Sequence, residues 1–516
     1  MKDKAITLIF LLFLYFTSFS QDVPEFINDF NYGGSGTDTP SDIIRTSDGG
    51  FIMCGHSNSD SDDLEENYGS RDGWVVKLNI DGQIEWQKNY GGSDSEFLRS
   101  IIETGSGNFV FVGYSQSDDF DLTSNYGSFD MWLVKINETG DILWQRTFGG
   151  SGADVGVSIL ETNDLGFIIA GVTTSSNGDL TSNNGEQDIW ITRHNELGEL
   201  IWQKTYGGSF DEFVFELIEM EDGNFAIAGG TRSSDGDVTS INGEIDAWIL
   251  SIDPSGELIW ERSIGGSLNE NLTGIASTGD NGLIAVGYSQ SSDDDIALNQ
   301  GEDDFWVVRL NSVGDLLWES SFGGSSSEIA FEVLDALGDG FLISGYTFST
   351  DGDLSSNFGG RDAWLIRIDD SGQLIWERSF GGSEDDSFVD IVQLEDGSLR
   401  VLGASNSDDG DVSGHYGSGD FWLVELGQDI LSFNDVSNAP FEIYPNPTNS
   451  MISIDFDKSR AYRNVFLTDA NGRLLENLNM VSAKSQIDMS RYPSGVYLIT
   501  IIEDGIRTSR PFVLSK

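Results

Sequence analysis

An acidic stretch, NGDLTSNNGEQDIW at residues 177–190, carries side chains of the kind that bind hard metal ions. Its oxygen-bearing side chains include those at positions 1, 3, 5, 7 and 12, which overlaps the ligand spacing of calcium-binding loops. These side chains belong to Asn177, Asp179, Thr181, Asn183 and Asp188. The spacing indicates calcium, although position 6 is Ser182 instead of glycine and the last ligand is an aspartate instead of a bidentate glutamate.

The same oxygens have a second interpretation that needs no ion. Asp and Asn side chains accept hydrogen bonds from nearby backbone N–H groups, and the resulting Asx turns shape long loops. Oxygen-rich spacing is common in such loops, and ligand geometry is not visible in a sequence. Calcium binding and turn formation therefore both stay open, and the sequence favours turn formation.

The stretch recurs along the chain at a spacing of 58 residues. If the loops bind calcium, two close copies supply the further ligands Asp235, Asp237, Asp246, Asp351, Asp353 and Asp362. The residues aligned with Asp179 are Asp63, Asp121, Asp237, Asp295, Asp353 and Asp411. Those aligned with Asp188 are Asp72, Asp130, Asp246, Asp304, Asp362 and Asp420. An identical choice in every repeat indicates a role inside each repeat and not one shared active centre.

The repeat also predicts the fold. Tryptophans return every 58 residues at Trp74, Trp132, Trp190, Trp248, Trp306, Trp364 and Trp422. Each repeat holds four short apolar runs separated by turn residues, which is typical of a four-stranded antiparallel sheet. Seven such units predict an all-β, seven-bladed β-propeller. In a blade of this kind, the acidic loop between the second and third strands lies on the same face as the Gly-Gly crossover into the next blade.

The two ends of the repeat region indicate how the ring closes. After Trp422 the chain has Asn434 where the second tryptophan of a repeat belongs, and an isolated strand, FINDFNYGG, precedes the first repeat with Asn28 at that position. We expect this N-terminal strand to complete the seventh blade, because the pairing removes the last open sheet edge.

Composition limits the partners. The chain has 86 acidic and 27 basic residues, a formal net charge of −59, which repels nucleic-acid phosphate and anionic lipid. Cys54 is the only cysteine, so no intrachain disulfide forms. Residues 1–20 have the layout of a secretory signal peptide, and no later apolar run is long enough to span a membrane. We expect residues 21–436 to form the propeller, 437–440 a linker and 441–516 a separate domain.

The sequence assigns no catalytic residue and no cofactor beyond the calcium hypothesis. Its three histidines, His56, His194 and His415, do not recur between repeats, and arginines form no repeated column. Acidic pairs are abundant, so a pair that cleaves glycans remains an alternative. The favoured function is an exported binding or scaffold propeller. The alternatives are a polysaccharide-active enzyme that uses the acidic face and a structural surface-layer component.

The segment from Phe441 to Lys516 lacks the 58-residue period and reads as a small β-sandwich. It opens with YPNP, continues with the hairpin TDANGR and the strand PSGVYLI, and ends on a lysine. The residues of these motifs are Tyr444, Pro445, Asn446, Pro447, Gly472, Gly495, Tyr497 and Lys516.

These four motifs, in this order, resemble the type A C-terminal sorting domain of type IX secretion substrates in Bacteroidota. One departure is Tyr492, where the family usually has leucine. The resemblance implies passage through the outer membrane, removal of the domain by a surface peptidase, and release or attachment to surface lipopolysaccharide. The expected partners are the type IX secretion machinery and, for the propeller, a glycan or a surface protein.

Overall fold

A computed structural model describes residues 23–429 except 65–66 and 338–339, and residues 441–516 except 446–447, 457–462, 470–473, 481–483, 494, 504–505 and 515. The predicted signal peptide at 1–20, the predicted linker at 437–440, and Asn434, Asn446, Pro447 and Gly472 lie outside the described residues. Every regular element within the described ranges is a β-strand.

The first three blades are antiparallel sheets of four consecutive strands. Blade one contains β2 (Asp38–Arg45), β3 (Phe51–Ser57), β4 (Asp72–Leu78) and β5 (Ile84–Tyr90). Blade two contains β6 (Glu96–Glu103), β7 (Phe109–Ser115), β8 (Asp130–Ile136) and β9 (Ile142–Phe148). Blade three contains β10 (Asp154–Glu161), β11 (Phe167–Thr173), β12 (Asp188–His194) and β13 (Leu200–Tyr206).

The next three blades repeat this order. Blade four contains β14 (Glu212–Glu219), β15 (Phe225–Thr231), β16 (Asp246–Ile252) and β17 (Leu258–Ile264). Blade five contains β18 (Glu270–Ser277), β19 (Leu283–Ser289), β20 (Asp304–Leu310) and β21 (Leu316–Phe322). Blade six contains β22 (Glu328–Asp335), β23 (Phe341–Thr347), β24 (Asp362–Ile368) and β25 (Leu374–Phe380).

Blade seven joins the two ends of the propeller, as the sequence predicted. Its strands are β26 (Asp386–Gln393), β27 (Ser398–Ser405), β28 (Asp420–Gln428) and the N-terminal β1 (Phe26–Tyr32). β1 pairs antiparallel with β28, with Asn31 opposite Trp422. The Trp422 indole N–H donates to Asp29 Oδ2 at 3.1 Å, which takes the place of the Trp74 to Gln87 hydrogen bond at 3.0 Å in blade one. The ring is therefore closed by hydrogen bonding between strands distant in sequence.

Hydrophobic clusters lie between neighbouring blades. The first strand of each blade is innermost and packs against the first strands of its neighbours, β2 for example against β6 and β26. The seven repeated tryptophans of the third strands are fully buried, with 0 % exposure. The Trp74 ring packs on Phe421 of blade seven, with ring centroids 4.6 Å apart. Burying such large rings is the main favourable term that holds the blades together.

The C-terminal domain contains two further antiparallel sheets. One holds β29 (Phe441–Tyr444), β30 (Met451–Phe456) and β33 (Lys484–Asp488). The other holds β31 (Arg463–Asp469), β32 (Leu474–Met480), β34 (Gly495–Glu503) and β35 (Ile506–Leu514). Ile452 and Ile487 of one sheet share a buried core with Ile499 and Leu514 of the other. Over the ranges that the structure describes, no helix is suited in length and hydrophobicity to cross a membrane.

Replacing Asp29 with alanine tests how the ring closes. Asp29 Oδ2 accepts hydrogen bonds from the buried Trp422 indole and from the Ser413 N–H of an exposed residue, so both donors lose this partner. We expect the free energy of unfolding to fall by about 1–3 kcal/mol. Urea denaturation measures this change, with the exposed hairpin substitution Asp81→Ala as control. Equal stability of both variants would show that β1 does not secure blade seven.

Candidate functional site: the loop face and the central channel

The aspartates aligned with Asp179 hold the crossover that leads into their own blade. Asp179 Oδ2 accepts a hydrogen bond from the Gly149 N–H at 3.1 Å, and the Asp179 N–H donates to the Gly149 carbonyl at 3.0 Å. The same reciprocal pair of bonds is made by Asp63, Asp121, Asp237 and Asp353. Because the partner lies 30 residues away, these are long-range hydrogen bonds and not the local Asx turns that the sequence suggested.

The aspartates aligned with Asp188 close the end of the loop. Asp188 Oδ2 accepts a hydrogen bond from the Asn184 N–H, four residues earlier, at 2.5 Å. The corresponding donors elsewhere are the N–H groups of Tyr68, Tyr126, Asn242, Gln300, Phe358 and Tyr416. Gly185 lies between the two aspartates because a Cβ there would come within 2.3 Å of the Gly208 carbonyl oxygen of the next crossover.

The structure adds a third acidic column that the sequence analysis missed. Its members begin the innermost strands and are Asp38, Glu96, Asp154, Glu212, Glu270, Glu328 and Asp386. Glu212 Oε2 accepts from the Gly208 N–H at 2.9 Å, and Glu212 Oε1 accepts from the Thr231 hydroxyl at 2.8 Å. The signal was present, since each of these acids follows the first crossover glycine by five residues.

The aspartates aligned with Asp188 and the acids that begin the innermost strands face each other across a crossover glycine. A Cβ at Gly207 would lie 2.6 Å from Asp188 Oδ1 and 2.1 Å from Glu212 Oε2. In six blades the inward oxygen of the aspartate is buried without a hydrogen-bond partner among the described residues: Oδ1 of Asp72, Asp130, Asp188, Asp304, Asp362 and Asp420. In blade four, by contrast, Asp246 Oδ1 accepts from the Gly243 N–H at 3.0 Å.

Burial and the facing carboxylate change the acidity of these groups. Burial is the main cause that raises the pKa of Asp188 to about 6, and the nearby Glu212 carboxylate adds to the effect. For the same two reasons the pKa of Asp72 rises to about 7, with Glu96 as the facing acid. Two facing carboxylates are stable when a proton, a cation or an amide donor lies between them.

The residues of the calcium hypothesis have separate hydrogen-bond partners. Asn177 Oδ1 accepts from the Ser151 N–H, Thr181 Oγ1 from the Gln203 amide, and Asn183 Oδ1 from the Gly185 N–H. In the copies, Asp235 and Asp351 bind crossover N–H groups in the way that Asn177 does. Within the described part of the chain, no three His, Cys, Asp or Glu side chains gather at one point suited to a metal ion. The structure thus distributes these oxygens over the loop, and calcium binding stays a prediction.

The centre of the ring is a cavity of about 680 Å³. Each innermost strand has a β-bulge at the same repeat position. The bulged residues all line the cavity and are Ser41, Arg99, Val157, Phe215, Thr273, Phe331 and Val389. The bulge turns side chains inward that differ from blade to blade, so the cavity wall lacks the sevenfold symmetry of the loops.

In four blades the residue after the bulge accepts a hydrogen bond from a main-chain N–H group of the next blade. Asp390 accepts a hydrogen bond from the Ile43 N–H at 2.9 Å, Asp42 from the Ile101 N–H at 2.7 Å, and Glu216 from the Ile275 N–H at 2.5 Å. These carboxyl groups line the cavity and are half-buried. Burial raises the pKa of Glu216 to about 8 and, together with neighbouring acids, raises those of Asp390 and Glu332 well above their usual range.

His194, His56 and Cys54 pack within the fold. His194 is fully buried, its ring bonds the Thr192 hydroxyl at 2.9 Å, and burial lowers its pKa to about 4. Burial also lowers the pKa of His56 to about 4, and its ring packs on Phe97 at 4.7 Å. Cys54 is fully buried on β3, where burial raises the pKa of its thiol. None of these side chains has the environment of a base or nucleophile at neutral pH.

The described residues of the C-terminal motifs contribute to the frame of that domain. The Tyr497 ring is buried on β34, and its hydroxyl donates to the Pro493 carbonyl at 2.7 Å. Lys516 Nζ donates to the carbonyls of Ser490 and Tyr492, the second at 2.5 Å. Tyr444 ends β29, and Gly495 begins β34. Of the motif residues, Tyr497 and Lys516 thus hold the segment between β33 and β34.

Residues 442–515 match the protein family described as the secretion system C-terminal sorting domain. The chain carries a type IX sorting domain. This sorting domain indicates export through type IX secretion to the cell surface or the medium, and it implies contact with the type IX secretion machinery.

Similarity to other proteins is partial. The regulatory protein FlaEY of Caulobacter vibrioides is 27% identical over 249 residues, which cover 43% of this chain and 26% of that protein. PorZ of Porphyromonas gingivalis, a surface component of the type IX secretion system, aligns over 94% of this chain and 60% of its own, with 12% identity and a TM-score of 0.40. A puromycin hydrolase aligns over 90% and 58%, with 9% identity and a TM-score of 0.43. The chain thus spans about a quarter to three fifths of these proteins.

Replacing Asp188 with asparagine distinguishes a residue that holds the loop by hydrogen bonds from a residue that binds calcium. An amide at this position can still accept from the Asn184 N–H and can donate to Glu212 Oε2, so we expect unchanged or higher stability in calcium-free buffer. We also expect isothermal titration calorimetry of the wild type to detect no saturable calcium binding. Asp246→Asn is the matched control, since there the amide would lose the bond from Gly243 and stability should fall. Stabilisation of the wild type by calcium at fixed ionic strength, lost in Asp188→Asn, would establish a metal site.

The carboxyl groups that line the central cavity predict that the stability of the protein depends on pH. Folding raises the pKa of Glu216 from 4.5 to about 8, so the folded state keeps a proton that the unfolded chain releases. The free energy of unfolding should therefore fall as pH rises from about 5 to 8 and level off above that range. Glu216→Gln keeps an acceptor for the Ile275 N–H and removes this titration, so it should lose less stability over the range. Denaturation at several pH values checks this, with exposed Glu199→Gln as control. Parallel curves for all three proteins would contradict the assignment.

Proposed function

We propose that the protein is an exported binding or scaffold propeller that catalyses no reaction. The observation that carries this proposal is the use of the repeated acids. Members of all three columns accept hydrogen bonds from main-chain N–H groups of their own loop or crossover. Carboxylates bound in this way hold the loops and crossovers in place. This framework is repeated in every blade and supports the residues that vary between blades.

The type IX sorting domain supports this proposal, because it carries the propeller to a location where such a face meets other cells or extracellular polymers. The net charge of −59 adds to it by keeping the protein dispersed and by repelling anionic partners. A propeller of this kind would recognise its partner through the loop face or the mouth of the channel, where side chains differ between blades.

The cavity gives one specific reason to retain the polysaccharide-active enzyme as a second candidate. Asp42, Glu216, Glu332 and Asp390 line it, and each has a raised pKa, which is a property of general acids. Three of the four, however, accept N–H groups from a neighbouring blade, which gives them a structural role.

Incubation of the full-length protein with soluble polysaccharides decides between binding and cleavage. We expect retention of the protein on at least one polysaccharide in affinity electrophoresis, with no new reducing ends after prolonged incubation. Release of reducing ends that is abolished by Glu332→Gln would replace the binding proposal with the enzyme. A denaturation curve of the variant confirms that any loss of activity is not caused by unfolding.

Removal of residues 441–516 tests the export route. The propeller has its own interblade cores, so we expect the truncated chain to fold, to accumulate in the periplasm and to be absent from the cell surface. Surface proteolysis of intact cells measures the difference, with the full chain as positive control. Normal display of the truncated chain would contradict the role of the sorting domain.

A further inference from the structure

Phe120 occupies a position that disfavours an aromatic residue. It lies in the loop between β7 and β8 with φ of 52°, in the left-handed region. The aligned residues share this conformation and are Asp62, Gly178, Gly236, Asp294, Gly352 and Gly410. A side chain with a Cβ, and a bulky ring above all, is strained there. The Phe120 side chain is 68% exposed, so burial does not offset the strain. Strain kept at an exposed site points to a use outside the fold.

The Tyr68 ring lies near Phe120, and other blades carry exposed rings at the position of Tyr68. The Tyr68 ring of blade one contacts Phe120 with centroids 5.5 Å apart and planes inclined by 31°. Tyr126, the residue of blade two aligned with Tyr68, is 58% exposed. Phe358 and Tyr416 occupy the same repeat position in blades six and seven, and both are about half exposed. Four consecutive blades thus place a ring at this position, whereas the other three have Asn184, Asn242 and Gln300.

A groove of about 440 Å³ lies between blades one and two. Tyr68 lines it, and the Phe120 ring reaches it through its contact with Tyr68. Tyr68 forms part of its wall, together with Lys88 of β5 and Asp121 and Asp141 of blade two. Lys88 Nζ and Asp141 Oδ1 form an ion pair at 2.6 Å. The groove therefore combines an aromatic face with both hydrogen-bond donors and acceptors.

We infer that this groove binds a sugar unit of a neutral glycan, with the Phe120 and Tyr68 rings as the platform. A pyranose ring has an apolar face of C–H groups, which packs on an aromatic ring, and a rim of hydroxyls, which bond to carboxylate and ammonium groups. This inference rests on the proposed binding function and names its ligand class.

Charge does not explain the groove. The acidic columns are the same in all seven blades, so the negative potential of the loop face is not special to blades one and two. What distinguishes these blades is the exposed Phe120 ring, at a position where the other blades have aspartate or glycine, packed beside Tyr68. Recognition through ring faces together with hydrogen-bonding groups suits a ligand with apolar and hydroxyl surfaces.

The test compares Phe120→Gly with Asp294→Gly in the full-length protein. Both substitutions place glycine at a left-handed position, and only the first removes a ring. Because glycine is the residue of four other blades at this position and adopts the left-handed backbone without strain, we expect both variants to melt at or above the temperature of the wild type. The probes are an array of neutral glucans, mannans, xylans and galactans, with alginate and poly-lysine as charged polymers.

We expect the wild type and Asp294→Gly to bind at least one neutral glycan with equal affinity, and Phe120→Gly to bind it at least tenfold more weakly. Equal binding by Phe120→Gly would overturn the groove assignment and leave the proposed binding function standing. Binding confined to alginate or poly-lysine would overturn the ligand class. Failure of the wild type to bind any probe, with reducing ends released, would overturn the proposed function itself.

Discussion

The crossover glycines impose the constraint on which the loop face depends. Each crossover turns from the outer strand of one blade to the inner strand of the next, which leaves main-chain N–H groups without a strand partner. Buried N–H groups must be satisfied. Carboxylates do this from two sides: Asp237 accepts from the Gly207 N–H, and Glu212 accepts from the Gly208 N–H. A Cβ at Gly207 would collide with Glu212 and with Asp188. The glycine and its acids therefore form one unit that recurs in each blade.

The acidity of the protein follows in part from this solution. Three acids per blade over seven blades make 21 of the 86 acidic residues, so about a quarter of the negative charge belongs to the frame. A charged acceptor binds an N–H group more strongly than a neutral one, which favours a carboxylate at the position of Asp179, where the acceptor holds the Gly149 N–H. Burial, and to a lesser extent the facing carboxylate, raises the pKa of Asp72 and Asp188. An acidic face is thus no evidence by itself of a metal or a substrate.

Much of the fold could be predicted because the same pattern of strands and tryptophans occurs in all seven repeats. The tryptophan spacing specified the blades, and Asn28 in a tryptophan position indicated that the N-terminal strand closes the ring. The facing of Asp188 and Glu212 could not be predicted, since it depends on how two blades meet around Gly207. The clasp from Glu216 to the Ile275 N–H joins residues 59 apart and likewise requires the packed ring. Phe120 is visible in the sequence as a phenylalanine in a glycine column, but its left-handed backbone and its exposure are structural facts.

The division between frame and variable surface follows from one claim, that the acidic loops are held by their own hydrogen bonds and need no ion. Hydrogen–deuterium exchange of the peptide 177–187 in calcium-free buffer tests this claim most directly. The Asn184 N–H bonds Asp188, and the Asp179 N–H bonds the Gly149 carbonyl, so we expect slow exchange that calcium leaves unchanged. Rapid exchange without calcium, with protection appearing only when calcium is added at constant ionic strength, would contradict the claim and make the loops metal sites.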